Sequence, residues 1–175
     1  EAESGSISDM LADMDSSPMD DASNEDSLES AAADNELVKF VNKVILDAYH
    51  QGVSDIHIEP MPGKLKTGIR FRIDGSLQPY IEVPAAYRQP LLTRLKIMGD
   101  LDISEKRKPQ DGKIRFKGPM GTIELRVATL PTSGGNEDVV MRILAASKPL
   151  PLEKMGFSTR NITEFKRILQ KPYGI

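Results

Sequence analysis

Three arginines in the second half of this 175-residue chain have both the chemistry and the setting to bind an anion. Arg107 lies in the run Asp102-Ile103-Ser104-Glu105-Lys106-Arg107-Lys108-Pro109-Gln110-Asp111-Gly112-Lys113. Arg126 opens Arg126-Val127-Ala128-Thr129-Leu130-Pro131, and Arg142 sits in Val139-Val140-Met141-Arg142-Ile143-Leu144. A guanidinium is planar, permanently charged and carries five donors, so it suits a phosphate or carboxylate better than a core. A single outward arginine on a strand is ordinarily just solvated. Three of them at loop or strand positions in one half of a small domain favour an anion.

Other chemistries find less support. His57-Ile58-Glu59 matches the His-x-Glu of zinc deaminases, but that chemistry needs a further ligand pair, normally cysteines, and the chain has none. Asp55, His57 and Glu59 are instead expected on the polar face of an alternating strand, paired with Arg70 and Arg72 on the next. Ser54, Ser76, Ser104 and Ser133 lack the glycine-flanked elbow of a nucleophilic serine. Gly134-Gly135 precedes the β-branched pair Val139-Val140, which marks a hairpin turn rather than a phosphate loop entering a helix. No catalytic residue and no metal site is therefore expected in these residues.

Charge is distributed unevenly. Residues 1–36 hold 12 of the 26 acids and none of the 23 lysines and arginines, leaving 14 acids against 23 bases in the remainder. A basic body could meet nucleic acid, but with 5% aromatics, no Trp, and Phe71, Tyr80 and Phe116 on separate expected strands, there is no platform for stacking bases. The basic side suits a protein or nucleotide-phosphate surface, and no nucleic-acid partner is expected. Absent cysteines exclude a disulfide framework. No run approaches the roughly 18 apolar residues of a membrane span, and the acidic start is not a signal peptide.

These residues need a scaffold, and the apolar periodicity supplies one. Residues 1–33, rich in Ser, Asp, Ala and Met, read as a disordered acidic linker in which Met10, Leu11 and Met14 make too short an apolar face to repay ordering. A helix is expected from an Asp34 N-cap through Leu37, Phe40, Val41, Val44, Ile45 and Ala48, closing at Gly52. Strands follow at 54–60 and 69–73, an Asp74-Gly75 turn, and a returning strand at 77–83. After Pro84 the period becomes helical, with Leu91, Leu92, Leu95 and Met98 on one stripe and Arg88, Arg94 and Lys96 off it. Strands at 113–116, 123–130 and 138–144 complete one mixed α/β domain, a mainly antiparallel sheet of about six strands packed by helices, over residues 34–148. Residues 149–175 read as a linker and one helix, N-capped by Ser158 and ended by Pro172.

In their order and spacing, several words of the chain resemble the N-terminal-half domain of the secretion ATPases that drive type IV pilus assembly and type II secretion. They are Ser54-Asp55-Ile56-His57-Ile58-Glu59-Pro60, Arg70-Phe71-Arg72-Ile73-Asp74-Gly75, Arg94-Leu95-Lys96-Ile97-Met98, Leu101 through Gly112, the Arg126 and Val139 words, and Lys171-Pro172-Tyr173-Gly174. The resemblance spans residues 36–175. It implies a PAS-like domain placed before a RecA-like motor domain in a homohexameric ring. It further implies that ATP and magnesium are held by the motor, whose Walker loop lies beyond Ile175, so that these residues alone do not hydrolyse ATP. Arg107, Arg126 and Arg142 are then the candidate ATP-phosphate arginines. The partners implied are the downstream motor, neighbouring subunits and inner-membrane platform proteins, with a cytoplasmic position peripheral to the inner membrane.

Two features depart from the family pattern. Lys113 stands where relatives commonly carry Arg after Asp-Gly, keeping charge but losing the bidentate fork. Gly135-Asn136-Glu137-Asp138-Val139 is longer and more acidic than the corresponding hairpin. A different reading, a stand-alone PAS-like sensor or interaction module, requires inward polar groups to orient a ligand, and Ile56, Ile58, Ile69, Phe71, Ile73 and Leu125 provide none.

Overall fold

The computed structural model describes residues 6–16, 26–144 and 151–174. Six strands form one antiparallel sheet: β1 (Asp55–Pro60), β2 (Thr67–Ile73), β3 (Ser76–Val83), β4 (Gln110–Gly118), β5 (Gly121–Pro131) and β6 (Glu137–Leu144), in the order β3-β2-β1-β6-β5-β4. The mixed α/β class and the strand count expected from periodicity are both found. The strands run longer than their apolar cores because pairing continues into the flanking polar residues. Asp74 and Gly75 both take positive φ, 49° and 82°, as a tight turn between β2 and β3 requires. Pro79 lies on β3, an edge strand, where a missing N–H is tolerated.

Helix α1 covers Ile7–Ser16, α2 Asp26–His50, α3 Arg88–Met98 and α4 Thr159–Leu169. Two of these differ from the sequence expectation. Part of the acidic stretch is helical: Ile7 and Leu11, one turn apart, pack against the core and provide the tertiary contact that so short a helix needs. Asp34 lies inside α2 rather than capping it. The acidic first turn and the Ala31-Ala32-Ala33 run favour a helix that begins eight residues earlier. Gly52, at φ 67°, ends it as expected. Residues 17–25, the join at 145–150 and Ile175, which also figured in the sequence expectations, fall outside the described residues.

One face of the sheet is buried. Leu37, Phe40, Val41, Val44, Ile45 and Ala48 of α2 and Leu91, Leu92 and Leu95 of α3 share a core with Ile56, Ile58, Ile69, Phe71, Ile114, Leu125, Val127, Val139 and Met141. Burying each such side chain contributes about 1.5–3 kcal/mol. Tyr80 stacks on Phe71 at 4.0 Å between ring centroids, and its hydroxyl donates to Asp47 at 2.6 Å, pinning α2 to the sheet. Burial and the Asp47 carboxylate together raise the Tyr80 pKa well above its ordinary value.

Lys96 corrects the helical-stripe reading. It is 1% exposed, with its ammonium on Glu137, itself buried at the start of β6. The core thus contains a polar pair that the apolar pattern does not reveal. No helix among the described residues is long and apolar enough to cross a membrane.

Residues 151–174 belong to a separate compact unit. Within it the Ser158 hydroxyl accepts from Asn161 N–H at 3.3 Å, the predicted N-cap. Lys166 pairs with Glu153 at 2.6 Å.

Connecting β3 to β4 carries the chain from one sheet edge to the other by way of α3, and two glycines fix where it lands. A Cβ on Gly112 would meet the Gly99 carbonyl oxygen at 2.4 Å and Leu101 Cδ2 at 2.8 Å; one on Gly99 would meet Val127 Cγ1 at 2.7 Å. Strand β4 therefore touches the end of α3 backbone to backbone. Gly112→Ala is expected to destabilise the domain by about 1–3 kcal/mol, the usual cost of overpacking, and to lower its thermal midpoint by circular dichroism. An unchanged midpoint would remove this contact from the account.

Candidate functional site

Because helices cover only one face, alternate residues of every strand stand on an open face, and register sets which of them are neighbours. Lys113 of β4 lies opposite Arg126 of β5, Arg126 opposite Arg142 of β6, Arg142 opposite Asp55 of β1, and Asp55 opposite Arg72 of β2. One row across five strands thus carries three cations, an anion and a cation. Side chains directly opposite in such ladders stand about 4.5–5.5 Å apart at Cβ, and like charges there are unfavourable. Arg126 and Arg142 are 62% and 68% exposed, so water and nearby carboxylates screen them.

Each arginine has one main holder. Arg126 donates from Nε to Asp111 Oδ1 at 3.1 Å and from Nη2 to Oδ2 at 2.6 Å. Asp111 is the diagonal neighbour on β4, and these hydrogen bonds hold its carboxyl below the ordinary range. Arg142 donates from Nε to Asp55 Oδ1 at 2.7 Å, while the Ser54 hydroxyl donates to Oδ2 at 2.8 Å and Arg72 Nε lies 3.5 Å away. Burial pushes the Asp55 pKa upward. The hydrogen bonds from Arg142 and Ser54, with the charges of Arg142 and Arg72, outweigh it and leave the carboxyl below its ordinary value. Lys113 has no ion pair among the described residues. Although it lacks the bidentate fork of an arginine, its register with Arg126 makes it the third cation of the row.

Arg107 is not in that row. It belongs to the irregular stretch between α3 and β4, is 87% exposed, and donates from its backbone N, Nε and Nη2 to the Glu105 carboxylate at 2.7, 3.3 and 3.2 Å. Those bonds hold the Glu105 carboxyl down to about 2. The stretch is tied internally: Gln110 accepts from Asp102 N–H at 2.8 Å and donates to the Asp102 and Glu105 carbonyls, and Asp102 accepts from Ser104 N–H. The structure therefore brings two of the three predicted arginines together and leaves the third on a bound loop.

Farther along the same face, the pairings expected of the first two strands are present. Arg70 grips Glu59 bidentately at 2.6 and 2.8 Å, and His57 Nδ1 lies 3.8 Å from Glu59. Burial lowers the His57 pKa despite Glu59, which favours a neutral ring. Burial and the nearby Glu59 raise the Asp138 pKa. This half of the face is balanced in charge; the β4–β5–β6 half is where cations adjoin cations.

A family model described as "Type II/IV secretion system protein" matches residues 30–175. The "Type IV pilus assembly ATPase PilB" of Thermus thermophilus is 44% identical over 138 residues, which are 78% of this chain and 15% of that protein. The "Type II secretion system ATPase E" of Vibrio cholerae is 40% identical over 153 residues, 87% of this chain and 30% of that protein. The solved Legionella pneumophila ATPase DotB gives a TM-score of 0.45 at 16% identity, covering 74% of this chain and 33% of that one, a likeness too loose to carry residues across. The chain thus spans less than a third of the length of these relatives. With the match extending over the whole sheet and α4, the chain belongs to the type II/IV secretion system protein family.

Proposed function

We propose that this chain is the non-catalytic part of a hexameric ATPase that powers type IV pilus assembly or type II secretion, and that its open sheet face meets the phosphates of ATP held by a RecA-like motor domain. The observation that carries the reading is the in-register row of Lys113, Arg126 and Arg142. Arg126 and Arg142 lean on Asp111 and Asp55 yet stay more than half exposed, and Lys113 has no ion pair among the described residues, so the row keeps donors for a polyanion; a triphosphate is the one that a relative named as an ATPase would supply. Arg107, on its neighbouring loop, is the more exposed donor. ATP and magnesium sit on the motor, and closure of the two domains brings the guanidiniums to the γ-phosphate, where they stabilise developing charge. That motion passes to neighbouring subunits and to platform proteins of the inner membrane, against which the ring lies on the cytoplasmic side.

The division of labour is physically reasonable. An arginine placed on a domain separate from the nucleotide reports closure, since its charge reaches phosphate only when the two meet. Arg142 spends only its Nε on the buried Asp55, so its Nη groups can turn to phosphate while that bond holds the guanidinium in place.

In the full-length protein carrying this chain, Arg126→Ala or Arg107→Ala is expected to lower steady-state ATP turnover by about tenfold or more, in the range of arginine-finger losses, with hexamer assembly unchanged by gel filtration. Wild-type turnover in both variants would remove the phosphate role. In the chain itself, Arg142→Ala takes away the principal influence lowering the Asp55 pKa and leaves burial, so the carboxyl midpoint followed by NMR should rise. A depressed carboxyl contributes stability above its ordinary value of 3.8 that is lost as pH falls through the folded value. Acid unfolding of Arg142→Ala should therefore begin at higher pH; an unmoved Asp55 midpoint would show that Arg142 does not hold it.

A further inference from the structure

Lys96 is the one lysine that the fold buries outright, at 1% exposure among the described residues. Its Nζ donates to the Glu105 carbonyl at 2.7 Å and to Glu137 Oε2 at 2.9 Å, and lies 2.8 Å from Oε1. Burying two charges carries a desolvation penalty comparable to their attraction, and apolar side chains of similar volume often do as well or better for stability. Stability alone therefore gives no reason for an ion pair here. Direction does, because an ammonium offers three donors that fix the groups around it.

The group it fixes is the turn that carries Arg107. The Glu105 carbonyl accepts from Lys96 and from Gln110 Nε2, while the Glu105 carboxylate accepts from the backbone and guanidinium of Arg107. A continuous path of hydrogen bonds thus runs from the buried ammonium to the exposed guanidinium. Residues 101–109 have no regular secondary structure of their own, so these bonds determine where the turn sits. Glu137, at the other side of the ammonium, is the first residue of β6, the strand that bears Arg142. The same charge therefore references the Arg107 turn to the strand of the cationic row.

We propose that Lys96 is a positioning residue, which with Glu137 holds the Glu105–Arg107 turn in register with the Arg126–Arg142 row so that all three guanidiniums can address one polyanion. This rests on the phosphate reading above.

The test is Lys96→Met/Glu137→Met, which removes both charges at nearly constant volume, compared with Arg107→Ala and the combination of all three. The chain is followed by thermal melting and by hydrogen exchange of the 102–108 amides; the full-length protein by ATP turnover. The expected result is a melt at or near the wild-type temperature, faster exchange confined to 102–108, turnover reduced as far as in Arg107→Ala, and no additional loss in the combination. Should the double variant fail to fold, Lys96→Met/Glu137→Gln serves in its place, keeping a hydrogen-bonding side chain at 137. A folded variant with wild-type protection of the turn and wild-type turnover overturns the proposal. If Arg107→Ala leaves turnover untouched while the double variant still loosens the turn, the phosphate reading fails and the positioning of the turn stands. If Arg107→Ala lowers turnover and the folded double variant does not, positioning by Lys96 fails and the phosphate reading stands.

Discussion

Side-chain alternation on a sheet covered from one side only is the constraint on which everything else in this domain rests. Helices α2 and α3 dry one face, so Ile114, Leu125, Val127, Val139 and Met141 form a core by pointing toward it. Every residue between them must then meet water. A two-residue period leaves no freedom in this: a strand that buries Leu125 and Val127 has to expose Arg126. Antiparallel pairing next decides which exposed residues become neighbours, and it brings Arg126 beside Arg142 and Lys113. The cationic row is thus a product of the core, since a shift of register by one residue would bury its arginines and expose the valines.

The two halves of the open face treat this constraint differently. Around β1 and β2 the charges alternate, Arg70 with Glu59 and Arg72 with Asp55, and the ladder satisfies itself. Around β4, β5 and β6 the row of Lys113, Arg126 and Arg142 sets like charges opposite each other, and its relief comes from a diagonal carboxylate at Asp111 and from Asp55 at the far side of Arg142, while Arg115 and Glu124 in the neighbouring row pair at 3.5 Å. Close approach of Gly112 to the end of α3 then delivers the Arg107 loop beside β4. Surplus positive charge gathers in one half because the fold assembles it there. The six strands hold seven acids and seven bases, so the surplus is one of placement rather than of strand composition.

Much of the scaffold could be read from spacing alone. Period-two runs located all six strands, Asp74-Gly75 announced its turn, and Ser158 its helix, since each of these signals is local in the chain. Lys96 could not be read that way. It follows Leu95 on a helix where any charged residue is assigned to water, and what permits its burial is Glu137, 41 positions away. The neighbourhood of Arg126 and Arg142 is a matter of register, which the words around each arginine do not contain. The place of Lys113 in the row is likewise set by its cross-strand partner and does not show in its residue type. The early start of α2 and the ordering of α1 depend on helix propensity and on two apolar contacts, and acidic composition concealed both.

On the proposed reading, the carboxylates that hold the arginines differ in a way that separates their roles. Arg126 and Asp111 are both more than half exposed, and pairs of that kind contribute about 0–1 kcal/mol. Phosphate can take such a guanidinium with little opposition. Arg142 is held by an almost fully buried carboxylate that keeps only a hydroxyl and a distant arginine when its partner leaves. Losing one member of a buried charged pair is more costly than losing an exposed one. Arg126 can therefore be given up to phosphate entirely, while Arg142, which spends only Nε on Asp55, can offer its Nη groups and keep that hold. On this reading the row divides the work: Asp55 fixes where one guanidinium stands and Arg126 is free to move to the nucleotide, a combination that three equally free arginines would not provide.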